Sequence, residues 1–301
     1  MNRRSFTALS GLATAGLATS RWVPRFAGSI GPFPLHFAPH IGMFAHHAGD
    51  DPASQLEFMA DQGFTAFEDN EMKSRPVELQ KQMARVMTKR ALRMGVFVAH
   101  RIYWKEPNLT SGKADWRDEF LRHIRESVEV AKRVNATWMT VVPGHLDLRL
   151  DIGYQTANVV ESLKQASAIL EPHGLVMVLE PLNFMNHPGL FLTEINQTFE
   201  ICKAVDSPAC KILFDIYHQQ IQEGNLIPNM NRAWEEIAYF QIGDNPGRKE
   251  PTTGEINYTN VFKHIAQQGF QGILGMEHGN SIPGKEGELA VINAYKSCST
   301  F

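Results

Sequence analysis

Cysteine is scarce in this chain. Only Cys202, Cys210 and Cys298 occur, an odd number without the paired spacing of a zinc site or a disulfide framework, and they read as buried thiols. A basic surface is lacking as well: 29 Lys and Arg stand against 32 Asp and Glu, for a formal net charge of -3. Phosphate contact needs concentrated positive charge, so a general nucleic-acid binder is excluded. No GxGxxG turn follows an early apolar run, which removes the dinucleotide signature of a doubly wound sheet. No apolar run is long enough to cross a bilayer comfortably as a helix of the mature protein. What remains is an ordinary globular balance, 43% hydrophobic and 20% charged, sufficient for a full core and contrary to disorder. Small molecules are the expected partners, and a homo-oligomer is left open.

The first residues differ from the rest. Asn2-Arg3-Arg4-Ser5-Phe6 precedes an uncharged stretch rich in Ala, Gly and Leu from Thr7 to Ala18, with small residues at Ala18-Thr19-Ser20 and two arginines, Arg21 and Arg25, close behind. The pattern predicts a twin-arginine export signal and joint over residues 1–27, hence a protein carried folded to the bacterial periplasm. A cytoplasmic protein, or one tethered through an uncleaved leader, is the alternative. Export in folded form suits a chain without disulfides and one that loads a metal before export.

From residue 34 to 301 short apolar runs alternate with segments of helical period, as in parallel α/β folds. Strands are expected at Leu35 to Ala38, Thr65 to Glu68, Gly95 to Ala99, Trp138 to Val142, Leu175 to Glu180, Lys211 to Asp215, Ala238 to Ile242 and Gly272 to Glu277. Apolar helix stripes are expected at Phe120, Ile124, Val128 and Ala131, at Val160, Leu163, Ala166 and Leu170, at Val261, Phe262 and Ile265, and at Leu289, Ile292 and Tyr295. Eight repeats without a phosphate loop favour a single-domain (β/α)8 TIM barrel over an open sheet.

Four of those strands end on polar side chains: Glu180, Asp215, Gln241 and Glu277. A carboxylate at the end of an apolar strand is costly to bury unless something pairs with it. In a barrel the loops after the strands share one face, so the four converge. Three carboxylates and an amide oxygen describe a site for a hard divalent cation, Mg2+ or Mn2+ before softer metals.

Several motifs stand together: Leu179-Glu180-Pro181-Leu182-Asn183 with Pro188-Gly189, Phe214-Asp215-Ile216-Tyr217-His218-Gln219-Gln220, Gln241-Ile242-Gly243-Asp244-Asn245-Pro246-Gly247-Arg248, Gly254-Glu255-Ile256-Asn257-Tyr258 and Gly275-Met276-Glu277. In these, the chain from about Leu35 to its C-terminus, most strongly in its second half, resembles the hydroxypyruvate isomerase family, within the xylose-isomerase-like barrels of sugar isomerases and epimerases. The resemblance implies that Glu180 and Glu277 serve as proton donor and acceptor, that the strand-end set binds the metal, and that His218, Arg248 and Asn183 contact substrate. The implied reaction is isomerisation of hydroxypyruvate to tartronate semialdehyde through an enediol. Asn186 departs from the resemblance, since an acidic residue is common there, and that departure bears on the substrate more than on the reaction. An exported protein would meet sugars, so a keto-sugar epimerase or keto-glycoside-processing enzyme is the second reading, and a non-catalytic sugar-binding barrel the third.

Signals in the first half are weaker. Glu68 closes an apolar run, and Trp104 could stack on a sugar face, so both are candidate substrate contacts. His40, His46, His47, His100 and His145 follow strands, where hydrogen-bonded loop residues are the commoner finding. Arg248 has two readings from sequence, a fork for a substrate carboxylate or a local salt bridge to Glu250 or Glu255.

Overall fold

The computed structural model describes residues 33–301; the predicted export signal lies outside the described residues. Eight strands follow in chain order: β1 (His36–Pro39), β2 (Ala66–Phe67), β3 (Arg93–Met94), β4 (Trp138–Val141), β5 (Val176–Leu179), β6 (Cys210–Asp215), β7 (Ile237–Ile242) and β8 (Ile273–Met276). All pairings among them are parallel. Six form one curved sheet in the order β1-β8-β7-β6-β5-β4, and β2 pairs with β3. Single parallel bridges, His40 with Glu68 and both Met94 with Ala136 and Val98 with Thr140, join β2 to β1 and β3 to β4. The ring is thereby closed, and the expected TIM barrel is the fold.

The expected strands fall where they were read, with two exceptions: β2 is only two residues long, and β3, also two residues, lies just before the expected Gly95 to Ala99, where only a single bridge at Val98 occurs. Beyond them the chain still bonds to its neighbours, through Asp69 N to Val96 O at 3.3 Å and Val98 N to Asn70 O at 3.3 Å. The ladder is interrupted because Val96 N donates to the Tyr239 hydroxyl, at 3.3 Å, in place of a neighbouring strand.

Inside the barrel a compact apolar layer of Ala38, Ala66, Val96, Val178, Leu213, Tyr239 and Ile273 fills the lumen. A larger core lies between strands and helices. The stripe Phe120, Ile124, Val128 and Ala131 is buried on the helix Ala114–Val134, as is Val261, Phe262 and Ile265 on Tyr258–Gln267. On Ile152–Leu170, Val159 rather than Val160 is fully buried beside Leu163, Ala166 and Leu170. On Gly284–Cys298 the expected Leu289 is 47% exposed, and Glu288, Val291, Ile292 and Tyr295 take the inner face. The displacement has a polar cause: Glu288 points inward to accept hydrogen bonds from His46 and His47, turning its neighbour outward. All three cysteines are free and buried.

Candidate active site

The barrel register brings the predicted strand ends together. Asp215 of β6 lies level with Gln241 of β7, and Gln241 with Gly275 of β8, two residues before Glu277, while Glu180 directly follows β5. Side-chain exposure rises from 1% at Asp215 through 10% at Glu180 to 27% at Glu277, so the floor of the site is at β6 and its opening at β8.

Asp215 also caps the helix Ile216–Gln222, its Oδ1 accepting from Tyr217 N at 2.8 Å and His218 N at 3.2 Å. One oxygen is thus held by orphan helix N–H groups and Oδ2 is left for the site. Arg248 enters from the long loop between Ile242 and Tyr258. The buried Asp244 ties that loop together by accepting from Asn245 N, Gly254 N and Ile256 N at 2.9, 2.9 and 3.1 Å. Arg248 itself is held at φ 50, a left-handed backbone uncommon for an arginine and of a kind that concentrates at functional sites. Its Nη2 donates to Asp215 Oδ2 and to Glu277 Oε2, each at 2.9 Å, and its Nε to the Glu277 carbonyl at 3.0 Å. The guanidinium lies over the Tyr217 ring at 4.9 Å. Neither Glu250 nor Glu255 takes it: Glu250 receives Ser281 N, and Glu255 receives Asn245 Nδ2 and Gln220 Nε2. The local salt bridge expected as one reading is therefore replaced by a pairing with the site carboxylates.

His218 is 1% exposed. Its Nδ1 meets both Asn183 N at 3.3 Å and Asn183 Nδ2 at 2.6 Å, and two donors there place the ring proton on Nε2. Among the described residues that Nε2 is buried without a hydrogen-bond partner, 3.6 Å from Asp215 Oδ2 and 3.9 Å from Glu180 Oε1. Burial lowers the His218 pKa to about 4, so the ring is neutral at physiological pH. Asn183 in turn is locked to Asn186, whose Oδ1 accepts from Asn183 Nδ2 at 3.0 Å and from the Tyr217 hydroxyl at 3.1 Å.

Burial, then repulsion from Glu277 and Asp215, pushes the Glu180 carboxyl well above its ordinary range. Glu277 is raised by burial too, against the pull of Arg248. For Arg248 burial acts downward, but Glu277, Asp215 and Glu180 more than reverse it, and the guanidinium is held firmly charged. The cluster is thus short of positive charge, with one guanidinium against three carboxyls.

The donor set fits a divalent cation. Gln241 Oε1 is buried and meets no donor among the described residues, while Nε2 of the same amide points at Glu68 Oε1, 3.5 Å away. A buried amide oxygen left bare beside carboxyls is costly unless a cation completes it. Glu180, Asp215 and His218 each offer an atom within 4.8 Å of the others. With the proton on Nε2, His218 is a donor there rather than a ligand, which leaves the hard oxygens of Glu180, Asp215, Gln241 and Glu277.

The two remaining candidates occupy different levels. Glu68 is 1% exposed and lies below the cluster, accepting from the Tyr239 hydroxyl at 2.9 Å. Trp104 is at the rim, 45% exposed, stacked on His187 at 5.1 Å, with His187 5.4 Å from His218. The other histidines are engaged in loops: His40 with Ile41 O and His278 O, His100 with Arg101 O, His145 with Leu146 O, and His46 and His47 with Glu288. Sequence reasoning missed Asn70, which donates to Glu277 Oε1 at 3.1 Å, and Tyr239. Both had a period-two signal, lying two residues from Glu68 and from Gln241 and so on the same face of an extended chain.

The profile of the "Xylose isomerase-like TIM barrel" family matches residues 56–297. Among curated proteins, hydroxypyruvate isomerase of Escherichia coli K12 is 38% identical over 161 residues, 54% of this chain and 62% of that one. The 2-oxo-tetronate isomerase of Cupriavidus necator is 31% identical over 160 residues, 53% of this chain and 62% of that one. The matched regions thus span 62% of the length of each of these relatives. Among solved structures, 3-keto-D-glucoside 4-epimerase from E. coli superposes with a TM-score of 0.74 at 17% identity, over 89% of this chain and 100% of that one. An AP endonuclease of family 2 from Brucella melitensis superposes with a TM-score of 0.74 at 23% identity, over 87% and 99%. At these identities the structural likeness speaks to the fold.

Proposed function

This chain belongs to the xylose isomerase-like TIM barrel family, and from that premise we propose that it is a divalent-metal-dependent isomerase converting hydroxypyruvate to tartronate semialdehyde through an enediol. The observation that carries the reading is the meeting of Glu180, Asp215, Gln241 and Glu277 at one barrel mouth, with Gln241 Oε1 buried and bare. The activity for which the E. coli relative is named agrees with it. A Mg2+ or Mn2+ ion held by these four residues would stabilise negative charge developing on the substrate oxygens.

The chain's own groups account for the proton movements. One glutamate of the pair Glu180 and Glu277 takes the proton from C3 of hydroxypyruvate, a proton passes from O3 to O2, and the other glutamate delivers a proton to C2. Atoms and charge balance, and the carbonyl has moved by one carbon. His218 Nε2–H, buried and unpaired among the described residues, is free to donate to a substrate oxygen. Arg248, with Nε and Nη2 engaged, retains Nη1 for the substrate carboxylate.

A second reading, epimerisation of a keto-sugar, is favoured by the rim. Trp104 stacked on His187 gives a planar surface above the site that a three-carbon acid does not need. Asn186 contributes a neutral amide at the adjoining turn.

A substrate panel separates the readings. Mn2+-loaded protein is assayed against hydroxypyruvate, 2-oxo-tetronate, free ketoses and 3-keto-glucosides. The first reading expects the highest kcat/KM on hydroxypyruvate and loss of turnover on chelation. Preference for a ketose or keto-glucoside would replace it by the second, and failure to turn over any of them with metal bound would contradict both.

A further inference from the structure

Beneath the carboxylate cluster two buried polar side chains, Glu68 and Tyr239, serve neither the metal reading nor the proton chemistry directly, and they back onto the ligand Gln241. Glu68, Tyr239 and Gln241 are buried at 1%, 0% and 1% exposure, walled by the apolar lumen. Two glycines make room for it. A Cβ on Gly275 would stand 1.9 Å from Glu68 Oε2, and one on Gly95 would stand 2.4 Å from the Tyr239 oxygen. Any side chain at either position would displace the pair, so β8 and the segment just after β3 are cut back to admit it.

With Glu68 as a carboxylate, accepting from Tyr239 and Gln241, the hydrogen-bond directions in this layer are fixed. Tyr239 Oη receives Val96 N–H at 3.3 Å, so its own proton is given to Glu68 Oε2, at 2.9 Å. Glu68 Oε1 is then the acceptor facing Gln241, and only the NH2 end of the amide can satisfy it, at 3.5 Å. At that length the contact is weak as a bond but decisive as a direction, because an amide oxygen turned to a carboxylate would be repelled. The planar amide consequently turns Oε1 away from Glu68. We propose that Glu68 is a positioning residue that fixes the orientation of the Gln241 amide, so that an oxygen and not an NH2 group is presented to the divalent cation. The inference rests on the metal reading above and assigns Glu68 a role other than contact with substrate.

An isosteric exchange at position 68 is informative. In Glu68→Gln the Tyr239 hydroxyl still must donate, so the oxygen of the introduced amide faces Tyr239 and its NH2 group faces position 241. Gln241 then flips to accept, and its own NH2 group turns toward the cation site. Residues that orient metal ligands from behind typically change affinity about 10- to 100-fold. The reciprocal double variant Glu68→Gln with Gln241→Glu repairs the pattern: the NH2 group at position 68 donates to one carboxylate oxygen at position 241, and the other oxygen is free for the metal. The layer keeps the same number of carboxylates.

Mn2+ affinity is measured by isothermal titration on purified full-length wild type, Glu68→Gln and the double variant, with thermal melting of each metal-free protein alongside. The expected result is a Kd at least about tenfold weaker for Glu68→Gln at unchanged metal-free Tm, with affinity restored in the double variant. Wild-type affinity in Glu68→Gln overturns the inference and leaves the metal reading intact. Weakening that the double variant does not repair also overturns it, since the effect is then one of charge or packing. Should Glu68→Gln fail to fold, Glu68→Met serves: it keeps the length of the side chain but removes the acceptor that turns the Gln241 amide, and unchanged Mn2+ affinity there overturns the inference equally. If wild type binds no Mn2+, the metal reading itself fails, a result distinct from the others.

Discussion

Glu180 and Glu277 differ from ordinary strand-end carboxylates in what surrounds them. Glu180 is buried and Glu277 half-buried, each is raised by burial, and among the described residues neither has a lysine partner: the one guanidinium nearby, Arg248, donates to Glu277 and Asp215. Glu→Gln at either keeps shape and one oxygen while removing the basic carboxylate. General acid/base groups contribute about 10²- to 10⁴-fold, so Glu180→Gln and Glu277→Gln are each expected to fold normally and to lose at least about a hundredfold in kcat. The double variant should be little worse than the worse single, because the two act as one unit. Steady-state kinetics with melting curves check this, and near-wild-type rates in both single variants would remove the two-glutamate account. At this scale the sequence was readable where a polar residue ended an apolar run, as at Asp215 or Glu277. It was silent on Arg248's partners, because a long loop folded around Asp244 decides them, and on Tyr239, which reads as one more apolar strand residue until Gly95 is seen opposite its hydroxyl.

Between elements, one contact joins the last helix to the first loop. Glu288 on Gly284–Cys298, fully buried, accepts from His46 N at 2.7 Å, His47 N at 3.0 Å, His46 Nδ1 at 3.0 Å and His47 Nδ1, and so ties the short helix Ala45–Ala48 to the closing end of the barrel. Burial pushes the Glu288 carboxyl up, but these bonds, His47 foremost, leave its pKa net lowered. A lowered folded pKa contributes stability that is present above the ordinary carboxyl value and lost as pH falls through the folded one. Glu288→Gln should therefore cost roughly 2–4 kcal/mol at neutral pH, where bonds to a charged acceptor are lost, and less as the pH drops below the ordinary carboxyl range. Denaturant melts of both proteins across that range check the trend, and a pH-independent difference would contradict it. The helix stripe read from Leu289 missed this contact because periodicity counts apolar residues only, and here the inward position belongs to a carboxylate. The third strand was misplaced for a related reason, since a tyrosine hydroxyl takes the Val96 backbone donor that pattern alone assigns to a ladder.

For the whole molecule, the alternation of eight apolar runs with helical segments was enough to give the barrel, and the barrel was enough to gather residues from 180 to 277 at one mouth. The proposed twin-arginine export rests on Arg3 and Arg4, which a receptor reads as a motif. Replacing both with Lys keeps the charge and should hold the protein in the cytoplasm of a bacterial host, as judged by fractionation; periplasmic recovery equal to wild type would contradict export by this route. The account as a whole turns on whether two carboxyls pass protons to and from carbon. Conversion of hydroxypyruvate by the Mn2+-loaded protein in D2O, followed by NMR, tests that directly: the account predicts tartronate semialdehyde bearing deuterium at C2, and product bearing protium there, or no product at all, would contradict it.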